Sequence, residues 1–109
     1  MSTRACIRLK KKEFEDCYFY QHFDGYPTGL LVDIIHDLKN INTYEDVKNY
    51  LENTYKEINR YPIDIDFSYV IDMDEGKIYT YHDKETHLLR IDLIDAGEIE
   101  LEYKLNIKI

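Results

Sequence analysis

No run of about 18 apolar residues occurs in this chain, and no apolar segment follows a basic N-terminus, so neither a membrane span nor a secretory signal is expected. Cysteine is scarce. The two present, Cys6 and Cys17, have no neighbouring histidine pair and do not compose a zinc site. A hairpin over residues 4–22, centred near Lys11 and Lys12, would set them nearly opposite each other. That register permits a disulfide, whereas a reducing, cytoplasmic compartment, the location expected here, favours two free thiols. Positive charge is also in deficit: 14 Lys and Arg stand against 22 Asp and Glu, for a net charge of −8. Repulsion of that size outweighs a few local lysines and argues against direct nucleic-acid binding. No internal repeat, low-complexity tract or linker is present, and no metal, nucleotide or nucleophile signature is complete. No cofactor is expected.

What remains is enough for one domain. At 109 residues and 44% hydrophobic content, the chain should bury about two-thirds of its unfolded surface, with no room for a second core. Arg4 to Leu9 and Cys17 to His22 read as two strands flanking the charged turn KKKEFED. Leu30, Leu31, Ile34, Ile35 and Leu38 then recur on one helical face, which predicts a first helix over about 28–40 with Thr28 or Asp24 as N-cap. His36 lies opposite that stripe and should be exposed. Thr43 with Asp46 forms a shortened capping box that opens a second helix. On it Tyr44, Val47, Leu51, Tyr55 and Ile58 fall within about 80° of one another at 100° per residue, and Pro62 marks the limit.

Beyond Pro62 the period changes to two. Ile63, Ile65, Phe67, Tyr69 and Ile71 alternate with Asp64, Asp66, Ser68, Val70 and Asp72, the pattern of a half-buried strand. The turns DMDEGK, HDKETH and AGE then separate KIYTYH, LLRIDLI and a final strand, so an antiparallel meander is expected. In the last strand Ile99, Leu101, Tyr103, Leu105, Ile107 and Ile109 alternate with polar residues. A strand so long could also pair at its edge with a partner or a twofold mate. The order ββααββββ predicts an α+β, two-layer domain: an antiparallel sheet with two helices packed on one face.

Chemistry concentrates in residues 20–29, YQHFDGYPTG, which connect a strand to a helix. One reading is architectural: Asp24 makes an Asx-type turn, Gly25 takes a positive φ, Pro27 sets the helix entry, and Tyr20 and Tyr26 keep their hydroxyls wet. The other is functional. The helix start near Thr28 and Gly29, with Arg4, His22 and Tyr26 around it, could hold an anion or phosphate, and Asp24 could orient His22 for acid–base work. Arg4, His22, Asp24 and Tyr26 are therefore the candidate ligand-binding residues. Other clusters are weaker. Asp72, Asp74 and Glu75 precede Gly76 at a spacing that suits a hairpin turn better than a calcium loop. His82 and His87 flank a loop whose solvated state is the simpler account.

The N-terminus MSTRACI followed by YQHFDGYPTG resembles a group of small phage and prophage proteins. These begin with a short STR-type strand and carry a histidine-x-aspartate-glycine-tyrosine-proline turn. The resemblance covers roughly the first 30 residues, at Ser2, Thr3, Arg4, His22, Asp24, Gly25, Tyr26, Pro27 and Gly29, with a weaker echo in SYVIDMDEGKIYTY at residues 68–81. That group has no settled activity, so the resemblance implies a mobile-element origin more than a chemistry. By analogy, small acidic proteins of such origin include antagonists of host immunity, anti-CRISPR proteins among them. The expected role is then stoichiometric inhibition of a host defence protein such as a nucleic-acid-binding nuclease. Asp64, Asp66, Glu98, Glu100 and Glu102 would face its basic groove, and some of the 11 tyrosines would serve as anchors. The alternative is a protein that binds, sequesters or hydrolyses a nucleotide or other phosphorylated small molecule at the YQHFDGYPTG turn.

Overall fold

Two neighbouring strands that run parallel need a long crossover between them, and residues 11–66 provide one. In the computed structural model, which describes residues 3–41, 43–59, 65–82 and 100–104, β1 (Ala5–Lys10) pairs in parallel with β4 (Phe67–Asp72). The remaining strands are β2 (Cys17–Gln21), β3 (Lys56–Ile58), β5 (Lys77–His82) and β6 (Glu100–Lys104). Among the described residues they form one sheet in the order β3-β2-β1-β4-β5-β6, and every adjacent pair except β1–β4 is antiparallel. The fold is α+β as expected, but the sheet is mixed rather than antiparallel. The helical crossover is the cause, because it returns the chain to the far side of β1 running in the same direction.

Alternation along the strands defines the core. Ala5, Ile7 and Leu9 of β1, Phe19 of β2, Tyr69 and Ile71 of β4 and Ile78 of β5 share one buried cluster with Leu30, Leu31, Ile34 and Leu38 and with Val47 and Leu51. Both helical segments thus pack on the same set of alternate strand residues. A smaller cluster of Val70 and Tyr81 with Tyr79 stands on the other side of the pleat. Ser68 and Asp72 are buried there as well. β4 is therefore buried on both faces, not half-buried.

The first helix begins with a π-helical turn, Pro27–Leu31, and continues as α1 (Val32–Asp37). The Val32 N–H donates to the Pro27 carbonyl five residues back, the spacing that marks a π turn. Its N-cap is Tyr26, in extended conformation, rather than Thr28 or Asp24, because Pro27 already fixes the first helical φ. α2 (Tyr44–Thr54) starts where expected, with the Thr43 hydroxyl accepting the Asp46 N–H at 3.2 Å. It stops earlier than the apolar stripe suggests. Tyr55 is extended, and Lys56–Ile58 becomes β3 by pairing with the outer edge of β2. Residues 55 and 58 suit either period, and the unsatisfied edge of β2 decides between them.

The hairpin also shifts. Leu9 faces Cys17 and Cys6 faces Tyr20, so the turn centres on Glu13 rather than on Lys11 and Lys12, with the Phe14 N–H donating to the Lys11 carbonyl at 3.0 Å. Cys6 and Cys17 consequently stand on opposite faces and are free thiols. At the β4–β5 turn the Asp72 carboxylate accepts the N–H groups of Asp74 and Glu75, both at 3.0 Å, which is the hairpin role expected of these acids. β6 is the strand beside β5, with Lys77 opposite Lys104 and Tyr81 opposite Glu100. The expected strand LLRIDLI, residues 88–94, lies outside the described residues.

One polar tie joins the helices. The Tyr50 hydroxyl donates to Asp37 Oδ2 at 2.7 Å, with the Tyr55 hydroxyl 3.4 Å away. Desolvation first, then those two neighbours, raise the Tyr50 phenol far above its ordinary range. The Tyr50 bond is also the main reason the Asp37 carboxyl titrates below its usual value, with partial desolvation opposing it and His36 assisting. A carboxyl with a lowered folded-state pKa adds stability above its unfolded value of 3.8, and loses it as pH falls through the folded value. Urea midpoints measured from pH 6 down to pH 3 should therefore fall less steeply for Tyr50→Phe than for the parent chain, after both are normalised at pH 6. Leu51 is fully buried. Leu51→Ala should lower the unfolding free energy by about 2–5 kcal/mol in the same titration.

Candidate functional site

The strand-to-helix turn is held by main-chain contacts to the start of β1. Asp24 adopts a φ of 55°, which aspartate tolerates better than most residues, and the chain can then fold back. The Gly25 N–H donates to the Thr3 carbonyl at 2.9 Å, and the buried Tyr69 hydroxyl donates to the Gly25 carbonyl at 2.5 Å. A Cβ on Gly25 would stand 2.7 Å from Ala5 Cβ and 2.8 Å from the Thr3 carbonyl oxygen. Close approach is thus what requires glycine here, and the positive φ belongs to Asp24, the reverse of the expected division. Gly29 is similarly confined, since a Cβ there would stand 2.9 Å from the Asp24 carbonyl oxygen.

Three of the four candidates, His22, Asp24 and Tyr26, lie in the turn, where with Tyr20 they form local pairs. The Tyr20 hydroxyl and His22 Nδ1 are hydrogen-bonded at 2.9 Å, and the Tyr26 hydroxyl donates to Asp24 Oδ1 at 3.1 Å. The Asp24 carboxylate, through that bond and its charge, raises the Tyr26 phenol above its ordinary value. These contacts tie His22 to Tyr20 and Asp24 to Tyr26. Arg4 enters through its main chain: its N–H donates to Asp66 Oδ2 at 2.9 Å, and its carbonyl accepts the N–H groups of Asp66 and Phe67.

Little of an anion cradle remains at the helix start. Pro27 has no N–H, and the N–H groups of Gly29 and Leu30 both donate to the Tyr26 carbonyl at 2.9 Å. Thr28 alone of the first three helical positions keeps its amide outside these bonds. Phe23, at 62% exposure, is the conspicuous surface group, with His22 edge-on to its ring at a centroid distance of 4.5 Å.

Of the expected acidic surface, Asp66 is a structural residue, since its carboxylate holds the Arg4 amide where β1 and β4 begin to pair. Glu100 and Glu102 occupy the outer strand β6 at the register positions of Tyr81 and Tyr79. Asp64 and Glu98 lie outside the described residues, as does His87. Among the described residues, no three His, Cys, Asp or Glu side chains gather as a metal site would require.

A different place has the form of a site. At the opposite end of β2, a groove of about 330 Å³ opens between the β1–β2 turn, the first turns of α2 and β3. Phe14 and Tyr44 form one wall, their rings stacked at 4.4 Å and 13°, and Phe14 remains 51% exposed. Glu15, Asp16 and Glu57 bring three carboxylates against the single ammonium of Lys48. Asp16 accepts the Arg8 Nε–H at 2.7 Å and pairs with the same guanidinium, whereas Glu15 and Glu57 make no ion pair among the described residues. Cys17 also lines the groove, its Sγ 3.8 Å from the Glu15 carbonyl oxygen. Burial, then the neighbouring Cys17 and the carboxylates of Asp16 and Glu52, push the Tyr44 phenol up to about 12. Sequence reading overlooked this groove, although Phe14, a lone aromatic inside the charged turn KKKEFED, is a signal for it.

Compared with family models, curated proteins and solved structures, the chain matches none. The assignment therefore rests on the geometry. If the turn is architecture, Gly25→Ala should cost about 1–3 kcal/mol of stability through the enforced clash. His22→Ala, at an exposed position, should change the urea midpoint little.

Proposed function

We propose that this protein is a stoichiometric binder that covers a basic surface of a protein partner, in the manner of a phage-type inhibitor of a host defence nuclease. The observation that carries the reading is the groove, where exposed aromatic surface occurs together with Glu15 and Glu57, which make no ion pair among the described residues, in a chain of net charge −8. Aromatic side chains supply rigid contact area that gains from desolvation, and like-signed charge around them steers a basic partner and repels competing acidic ones. The YQHFDGYPTG turn supports the same reading by default. Its main chain braces β1, and its hydroxyl, imidazole and carboxylate groups satisfy one another locally.

Occlusion has a specific signature. Immobilised protein should retain a nucleic-acid-binding protein from bacterial lysate at about 0.1 M salt, where the Debye length is about 10 Å, and release it as salt rises. Added DNA or heparin should displace the same partner, because polyanion and inhibitor compete for one surface. Retention that neither salt nor polyanion weakens would sink the proposal. So would loss of retention on a fold-preserving His22→Ala change, which would return the turn to the role of a ligand site.

A further inference from the structure

The groove beside β3 combines features that bind one kind of side chain. We propose that it receives an arginine of the protein partner, the guanidinium lying on the outward face of Phe14, whose inner face stacks on Tyr44, and donating to Glu15 and Glu57. This inference rests on the occlusion reading above and names its anchor.

The chain already contains an instance of the same chemistry. Arg8 places its guanidinium carbon 5.8 Å from the centroid of the Tyr18 ring while its Nε–H donates to Asp16 at 2.7 Å. Tyr18 and Asp16 also line the groove. An aromatic face plus a carboxylate thus holds a guanidinium at this end of the sheet, and the groove repeats the pair of elements with a second aromatic wall and two further acids. A planar cation stacks on such a wall and offers several N–H donors in one plane to neighbouring carboxylates. An apolar occupant would desolvate Glu15 and Glu57 without compensation, and an anionic one would meet three carboxylates against one lysine. Lysine would satisfy the charge but has no plane to match the ring. The backbone around the groove is anchored as well: the Phe14 N–H closes its turn onto Lys11, and β3 pairs with β2 in the antiparallel ladder, Ile58 opposite Tyr18 and Glu57 opposite Phe19. Little ordering is needed to bind, which favours affinity from few contacts.

The test uses the full chain and three small probes: N-acetyl-arginine N-methylamide, its citrulline counterpart and its lysine counterpart. Titrated by NMR, the arginine probe should give saturable shifts confined to Phe14, Glu15, Tyr44, Cys17 and Glu57, with a dissociation constant on the order of millimolar. Citrulline, of similar shape but uncharged, should bind at least about tenfold more weakly, a difference of about 1.4 kcal/mol. Lysine should fall between them. A Glu15→Gln, Glu57→Gln double variant, shown to be folded by its spectrum, should lose about tenfold in arginine affinity, and Phe14→Leu should weaken arginine more than lysine.

Shifts that stay linear, spread over carboxylates throughout the protein, or match those of citrulline would overturn the proposal. Lysine binding as tight as arginine, unaffected by Phe14→Leu, would overturn it as well, since the aromatic wall would then take no part. The two readings fail separately. If a polyanion-sensitive partner is retained undiminished by Phe14→Leu and by the double glutamate change, the arginine site falls and occlusion stands. If the arginine probe saturates at the groove while no polyanion-sensitive partner is found, the site stands and occlusion falls.

Discussion

Pairing of β1 along both of its edges is the constraint from which the rest of the structure follows. Its residues exchange hydrogen bonds with β2 on one side and β4 on the other, so no other strand can replace it without leaving two rows of main-chain groups unsatisfied. The flanking residues extend the same role. Thr3 holds Gly25, Arg4 holds Asp66 and Phe67, Lys10 accepts the Met73 N–H, and the Lys12 N–H reaches Asp74. A single ten-residue stretch, residues 3–12, therefore sets the strand-to-helix turn at one end of the sheet and positions both hairpin turns at the other.

That arrangement explains why the residues richest in chemistry are not the ones placed for binding. The YQHFDGYPTG segment must turn sharply at the end of β2 and still press against Thr3 and Ala5. Its glycines, its aspartate and its proline serve that path. The tyrosine, histidine and carboxylate groups left over are close enough to pair among themselves. At the other end of β2 the demands are different. The β1–β2 turn is closed by one main-chain bond near Lys11, so Phe14 and Glu15 project from it, and α2 and β3 approach from the sides. A groove results because three separate elements meet without filling the space between them.

The two clusters of the sheet carry different kinds of information. The larger one unites both helical segments with the alternate residues of four strands, and its helical members, with Tyr69 and Ile71, follow from period alone. Membership in the smaller one follows from packing between strands. Val70 and Tyr81 are buried although they alternate with the main core, each packed against the other and Tyr79.

Local pattern determined much by itself. The strand character of residues 5–10, 17–21 and 67–72, the Thr43 cap, the buried face of α2 up to Leu51, and the hairpin role of Asp72 all follow from side-chain period and short-range hydrogen bonding, which act within a few residues. The sheet's mixed direction, the conversion of Lys56–Ile58 to strand and the opposite placement of Cys6 and Cys17 depend on which edges find each other, and that is a property of residues far apart in sequence. The same holds for the candidate site. His22 and Asp24 are two residues apart, but pairing depends on directions that the backbone sets, and Asp24 at a φ of 55° turns its carboxylate to Tyr26. Phe14, Tyr44 and Glu57 are 30 and 43 positions from the first to the others in the chain, and only the tertiary fold brings them to one groove, because no local signal can report a distance closed by the packing of a helix and an edge strand against a turn.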